Sequence, residues 1–112
     1  MKTTLGELMS AVQGLTTESE ISEAVLKILA GLPSGKATFR HLIREIPNFV
    51  KLTPADHAVS ETRPNEHVWE QRVRNISSHR KSEKNYIAAG YLVKVNGGLQ
   101  ITELGRQHAK KI

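Results

Sequence analysis

Apolar residues along this chain recur mostly at helical spacing, are interrupted by glycine and proline, and give way to β-type patterning near the end. Leu5, Leu8, Met9 and Val12 fall at i, i+3, i+4 and i+7, which predicts an amphipathic helix over residues 4–14. Gly14 and Thr16-Thr17 break that pattern, and Thr17 or Ser19 then offers an N-cap for a second helix. Glu18, Glu20 and Glu23 complement the positive end of its dipole. Its apolar stripe is Ile21, Val25, Ile28, Leu29 and Leu32, and Gly31, Pro33 and Gly35 end it.

Lys36-Ala37-Thr38 reads as a very short strand, after which Thr38 caps a helix over residues 39–46 with Phe39, Leu42, Ile43 and Ile46 on one face. Pro47 stops that helix. Residues 47–65 are loop-like, apart from Thr53-Pro54, an N-cap followed by a first-turn proline. Arg63-Pro64-Asn65 launches the next helix, from about Glu66 to Arg80, whose Trp69, Val73 and Ile76 share one side. At 100° per residue the opposite side carries His67, Gln71, Arg74, Asn75 and Ser78.

Beyond it lie the polar stretch Lys81–Asn85, a helical turn at Tyr86–Ala89, and Gly90 as terminator. Tyr91–Val95 is β-prone, Asn96-Gly97-Gly98 tolerates a tight turn, and Leu99–Ile101 returns as a second strand. Thr102 then caps a last basic helix reaching Lys111. The expected class is α+β: three helices followed by a two-stranded wing, the winged variant of helix-turn-helix, with an extra helix at each end. One domain spans residues 1–112, since two cores in so short a chain would both be too small.

Charge sharpens the picture. The net charge is +5, but residues 1–35 hold two cations against four acids and residues 36–112 hold fourteen against seven, so the excess sits in the later segment. A polyanion partner fits that distribution. With no cysteine, disulfide scaffolds, thiolate nucleophiles and cysteine-based zinc fingers are excluded. No signal-peptide run or membrane span is present, and a cytoplasmic location is expected.

Arg63-Pro64-Asn65, Trp69, Arg72-Val73-Arg74-Asn75-Ile76, Ala89-Gly90-Tyr91-Leu92 and Ile101-Thr102-Glu103-Leu104-Gly105-Arg106 together resemble the winged-helix domain at the N-terminus of Mrr-type, modification-dependent restriction endonucleases. The resemblance covers about two fifths of the chain well, and Val25 to Ile46 more loosely. It implies a reader or specificity module with double-stranded DNA as its partner. Between Val73 and Gly90 this chain is longer than the family pattern by about six residues, which predicts a kink or loop near 78–85. No nuclease domain follows Ile112, so cleavage is not expected to carry over.

The candidate DNA contacts are Arg63, His67, Gln71, Arg74, Asn75 and Ser78 on or beside the long helix, then His79, Arg80, Lys81 and Lys84 beyond it, and Lys94 and Asn96 on the wing. Glutamine, asparagine and arginine make paired hydrogen bonds to adenine and guanine edges, while hydroxyls, lysines and amides, Asn85 among them, hold phosphates. Each set has a plainer reading, as an ordinary solvated face or a polar loop. Trp69 is read as core rather than as a platform for a flipped base, and Tyr86 and Tyr91 as packing under the wing. Gly97 and Gly98 are read as turn geometry alone.

His41, His57, His67, His79 and His108 make no recognised ligand spacing, and although His57 and His67 share a loop, no metal or other cofactor is expected. Asp56 is the only aspartate, and no acid pair, phosphate loop or nucleophile with a base stands out, so catalysis is not expected. The competing expectation is a winged helix used for protein contact, through self-association along helix 4–14 or docking on a nuclease subunit, or a small two-fold regulator.

Overall fold

The computed structural model describes residues 14–112, and the helix expected over 4–14 therefore lies almost wholly outside the described residues. Among the described residues the protein is a mixed α+β fold of four α-helices and one small antiparallel sheet. Helix α1, Glu18–Ala30, is its axis. The Thr17 hydroxyl accepts the Glu20 N–H while the Glu20 carboxylate accepts the Thr17 N–H, a reciprocal cap that settles the choice between Thr17 and Ser19. Ile21, Ala24, Val25, Leu26, Ile28 and Leu29 are all buried, so α1 hides more of its circumference than its expected stripe. It packs against α3 and α4 and also touches the sheet and α2.

Strand β1, Lys36–Thr38, leads directly into α2, Phe39–Glu45, where the Thr38 hydroxyl accepts the His41 N–H at 3.1 Å. Ile46 and Pro47 leave the α-helix for a 3-10 turn over Ile46–Asn48. A second 3-10 turn, Pro54–His57, starts from the Thr53 cap, as the Thr-Pro signature predicts. Helix α3, Val68–Ser78, is shorter at both ends than its expected Glu66–Arg80 span, and buries Trp69, Val73, Ile76 and Ser77. Its close at Ser78 falls at the start of the expected kink near 78–85.

The hairpin consists of β2, Leu92–Val95, and β3, Gly98–Ile101, and helix α4, Glu103–Ala109, closes the chain. The strand order is β1-β3-β2, with Lys36 opposite Gln100 and Leu92 opposite Ile101. Leu92, Leu99 and Ile101 face the helices and are buried. Gly97 turns the chain at φ 73°, but Gly98 has another role than the turn geometry expected of it. A Cβ on Gly98 would lie 2.0 Å from the Ala37 carbonyl oxygen, so only glycine lets β1 pair with β3 there.

Asp56 organises the connection between α2 and α3. Its side chain is fully buried and accepts the Thr16 N–H at 2.7 Å, the Thr16 hydroxyl at 2.6 Å and the Thr53 N–H at 2.9 Å. Burial is the strongest single influence on this carboxyl and pushes its pKa up. The hydrogen bonds from Thr16 and Thr53 together outweigh burial and leave the pKa below the ordinary 3.8. The Thr53 hydroxyl also donates to the Gly14 carbonyl. The middle of the chain is thus tied to the residues that open α1.

Replacing Asp56 with Asn sets an NH2 group against at least one backbone or hydroxyl donor of Thr16 or Thr53, and costs about 1–3 kcal/mol in chemical denaturation. A depressed folded-state pKa means that the carboxylate's contribution is complete above the ordinary value and is lost as pH falls through the folded value. The stability gap between wild type and Asp56→Asn therefore narrows in strong acid. A gap that stays constant from neutral pH to below pH ~2 would show that the charge contributes nothing.

Candidate nucleic-acid interface

The twelve expected contact residues divide by what the fold does with each. Trp69, Val73 and Ile76 turn inward as expected, Trp69 being 5% exposed, which places Gln71, Asn75 and Ser78 on the outward side of α3. Ser78 is exposed and Asn75 half-buried. Gln71 and Arg74, expected to offer free donors, are engaged within the chain. The Gln71 side chain accepts the Ser60 hydroxyl at 2.5 Å and donates to the Thr62 hydroxyl at 2.7 Å. Arg74 donates through Nε to Glu66 Oε2 at 2.9 Å, with its Nη2 2.8 Å from the same oxygen, and its guanidinium lies 5.7 Å from the Phe39 ring centre.

These contacts lay residues 58–67 along α3. Ser60 is 2% exposed, its hydroxyl accepts the Thr62 and Arg63 amides, and its own N–H donates to the Glu66 carbonyl at 2.9 Å. Val59 and His67 form an antiparallel bridge, and the Val68 N–H donates to the Ala58 carbonyl at 2.8 Å. The segment thus carries its own backbone pairing. Its partners Ser60, Thr62 and Glu66 were missed from the sequence. A serine hydroxyl often bonds backbone amides two or three residues on, so the Ser60 turn had a local signal, but its reach to Gln71 is tertiary.

Arg63 is exposed at the rim of this segment, its Nε 4.0 Å from Glu66 Oε1. His67 sits at the N-cap of α3, where its N–H donates to Glu70 Oε1 at 2.6 Å. At the other end, the ring Nδ1 of His79 lies 2.8 Å from Glu18 Oε1, joining the close of α3 to the start of α1. Arg80 donates to the Ser77 carbonyl at 3.0 Å, while Lys81 and Lys84 are exposed in the turns that follow. Asn85, counted among the phosphate-holding groups, is instead 3% exposed. Its amide nitrogen donates to the Ile76 carbonyl and to Glu18, and its amide oxygen accepts the Ile87 and Ala88 N–H groups.

The β2–β3 hairpin is connected to α3 by way of α2. The Phe39 N–H donates to the Gly97 carbonyl at 3.0 Å, and the Arg74 guanidinium sits over the Phe39 ring, so Phe39 touches both the hairpin turn and α3. Lys94 and Asn96 are exposed, and Asn96 borders a shallow cleft with Ser34, Lys36, Thr38 and Val95. Tyr86, Tyr91 and His108 form an aromatic cluster, with Tyr91 and His108 stacked at 4.2 Å. Burial, with help from the Glu23 charge, raises the Tyr86 pKa. These two tyrosines pack against α4 beside the hairpin.

Among the described residues, no helix is long and apolar enough to cross a membrane. No group of three or more histidines and acids among them could hold a metal.

If Gln71 fastens the segment, Gln71→Ala removes two hydrogen bonds and costs about 1–2 kcal/mol. The Ser60 amide should then exchange with solvent faster in native-state hydrogen exchange, while the amides of α1 keep their protection. Unaltered exchange at Ser60 would mean the segment holds without the glutamine. Comparison of the chain with family models, with curated proteins and with solved structures finds no match in any of the three.

Proposed function

We propose that this protein is a winged-helix domain that binds double-stranded DNA, with the outward face of α3 in the major groove and the β2–β3 turn beside it. The observation that carries the reading is the orientation of α3. Its tryptophan side is buried in the core, and its outward stripe of Gln71, Asn75 and Ser78 carries no acid. A helix of this width fits the major groove, and its asparagine and serine are groups that read base edges. The element order, the strand order β1-β3-β2 and the basic balance of residues 36–112 agree with that arrangement.

The intramolecular bonds of Gln71 and Arg74 refine the proposed surface. Base reading falls to Asn75 and Ser78, with the rim of the fastened segment at Thr62 and Arg63 brought up alongside. Lys81, Lys84, Lys94 and Asn96 supply phosphate contacts that fix position without reading sequence. The resemblance to the N-terminal domains of Mrr-type endonucleases extends the proposal to a reader of modified DNA within a restriction system. A protein-contact role is the second reading, favoured by the same closure of Gln71 and Arg74, which removes two donors from the groove-facing side.

Fluorescence anisotropy with duplex DNA at two salt concentrations separates these readings. Phosphate engagement gives a log-affinity slope of about −0.9 per phosphate neutralised. Lys84→Ala and Lys94→Ala each weaken binding to all sequences alike and lower the slope by about one phosphate. Asn75→Ala costs about 1–3 kcal/mol on a preferred site and flattens preference between sites. Absence of binding even at low salt would decide for protein contact.

A further inference from the structure

From the geometry at the N-terminus of α3 we infer a divalent transition-metal site formed by His57 and His67, of the kind that takes zinc, nickel or copper(II). Sequence spacing did not point to it, since ten residues separate the two histidines. The fold closes that gap. His57 ends the 3-10 turn Pro54–His57, and His67 occupies the N-cap of α3. Between them the chain doubles back through the Val59–His67 bridge and the bond from Val68 N–H to the Ala58 carbonyl.

The two Nδ1 atoms lie 3.2 Å apart, with the rings edge to face at 86°. Two nitrogens bound to one tetrahedral ion at 2.0–2.1 Å are about 3.3 Å from each other, so the pair already has the length of a coordination edge. Imidazole nitrogen selects late first-row ions over magnesium or calcium. Both rings reach solvent, His57 being exposed and the His67 side chain 46% exposed, so an ion and its waters have an entry path. The Glu70 carboxylate lies 3.9 Å from His67 Nδ1, near enough to favour a cation electrostatically. It is held by the His67 N–H at 2.6 Å, which leaves the pair as a two-imidazole chelate with water at its remaining positions.

The site is independent of the DNA-binding reading. The ion cross-links the segment after Asp56 to the first turn of α3, so it stabilises the folded chain by mass action.

The test is a titration of the full chain with zinc chloride, followed by imidazole nitrogen NMR and by thermal unfolding. The ring signals of His57 and His67 move together and saturate at a single ion per chain, those of His41, His79 and His108 stay put, and the unfolding midpoint rises. Magnesium chloride at equal concentration moves none of them. His57→Ala and His67→Ala each weaken binding by about tenfold or more. Should His67→Ala unfold through loss of its capping position, His57→Ala is the deciding variant, because that ring stands at the exposed end of a short turn. The proposal is overturned by an absence of saturable binding, by shifts that fall on the other histidines, or by zinc affinity that survives His57→Ala. The first outcome would leave the close nitrogens as a plain N–H···N hydrogen bond.

Discussion

A carboxylate taken out of water must find donors, and the fold turns that requirement into architecture at Asp56. Thr16 and Thr53 supply its hydrogen bonds, one from the entry to the central helix and the other from the start of the 3-10 turn. Loss of either partner would leave the buried carboxylate short of a donor, which costs more than the loss of one surface contact. The long connection between α2 and α3 is therefore anchored part-way along its course. From that anchor it runs through the Val59–His67 bridge to the first turn of α3, so the position of the proposed interface depends on a residue far from it in function.

The same connection changes what the outward face of α3 presents. In a bare helix all its polar side chains would be available to a partner. Here a serine, a threonine and a glutamate from residues 58–67 occupy Gln71 and Arg74, and the helix offers a composite surface made of its own outer residues and the fastened segment. Asn85 performs a comparable service at the far end, where it caps the close of α3 and starts the next turn while holding Glu18.

Local signals account for most of what was legible in the sequence. Apolar periodicity found α1, α2 and the buried side of α3, and Thr17, Thr38, Thr53 and Thr102 all act as the caps their positions suggest. The hairpin was readable from β-prone residues flanking Asn96-Gly97. The rest depends on pairings distant in sequence. Nothing local says that Asp56 meets Thr16, that Gln71 meets Ser60, or that His57 meets His67. Gly98 shows the limit well: it looks like a turn residue, yet its constraint comes from the Ala37 carbonyl across the sheet. Asn85 resembled one more polar loop residue because sequence does not report burial.

The sheet order has a consequence for how this protein behaves at high concentration. Among the described residues β3 lies in the middle, so β1 and β2 are the edge strands, and of the outer groups on β1 the Lys36 N–H and carbonyl are taken by the Ser34 hydroxyl. Such edges are templates for unwanted strand addition between molecules. Here they are only three and four residues long, and each carries an exposed lysine, Lys36 on one and Lys94 on the other. Short length and like charge at both margins discourage sheets of neighbouring molecules from zipping together, so whatever else those lysines do, they also guard against aggregation.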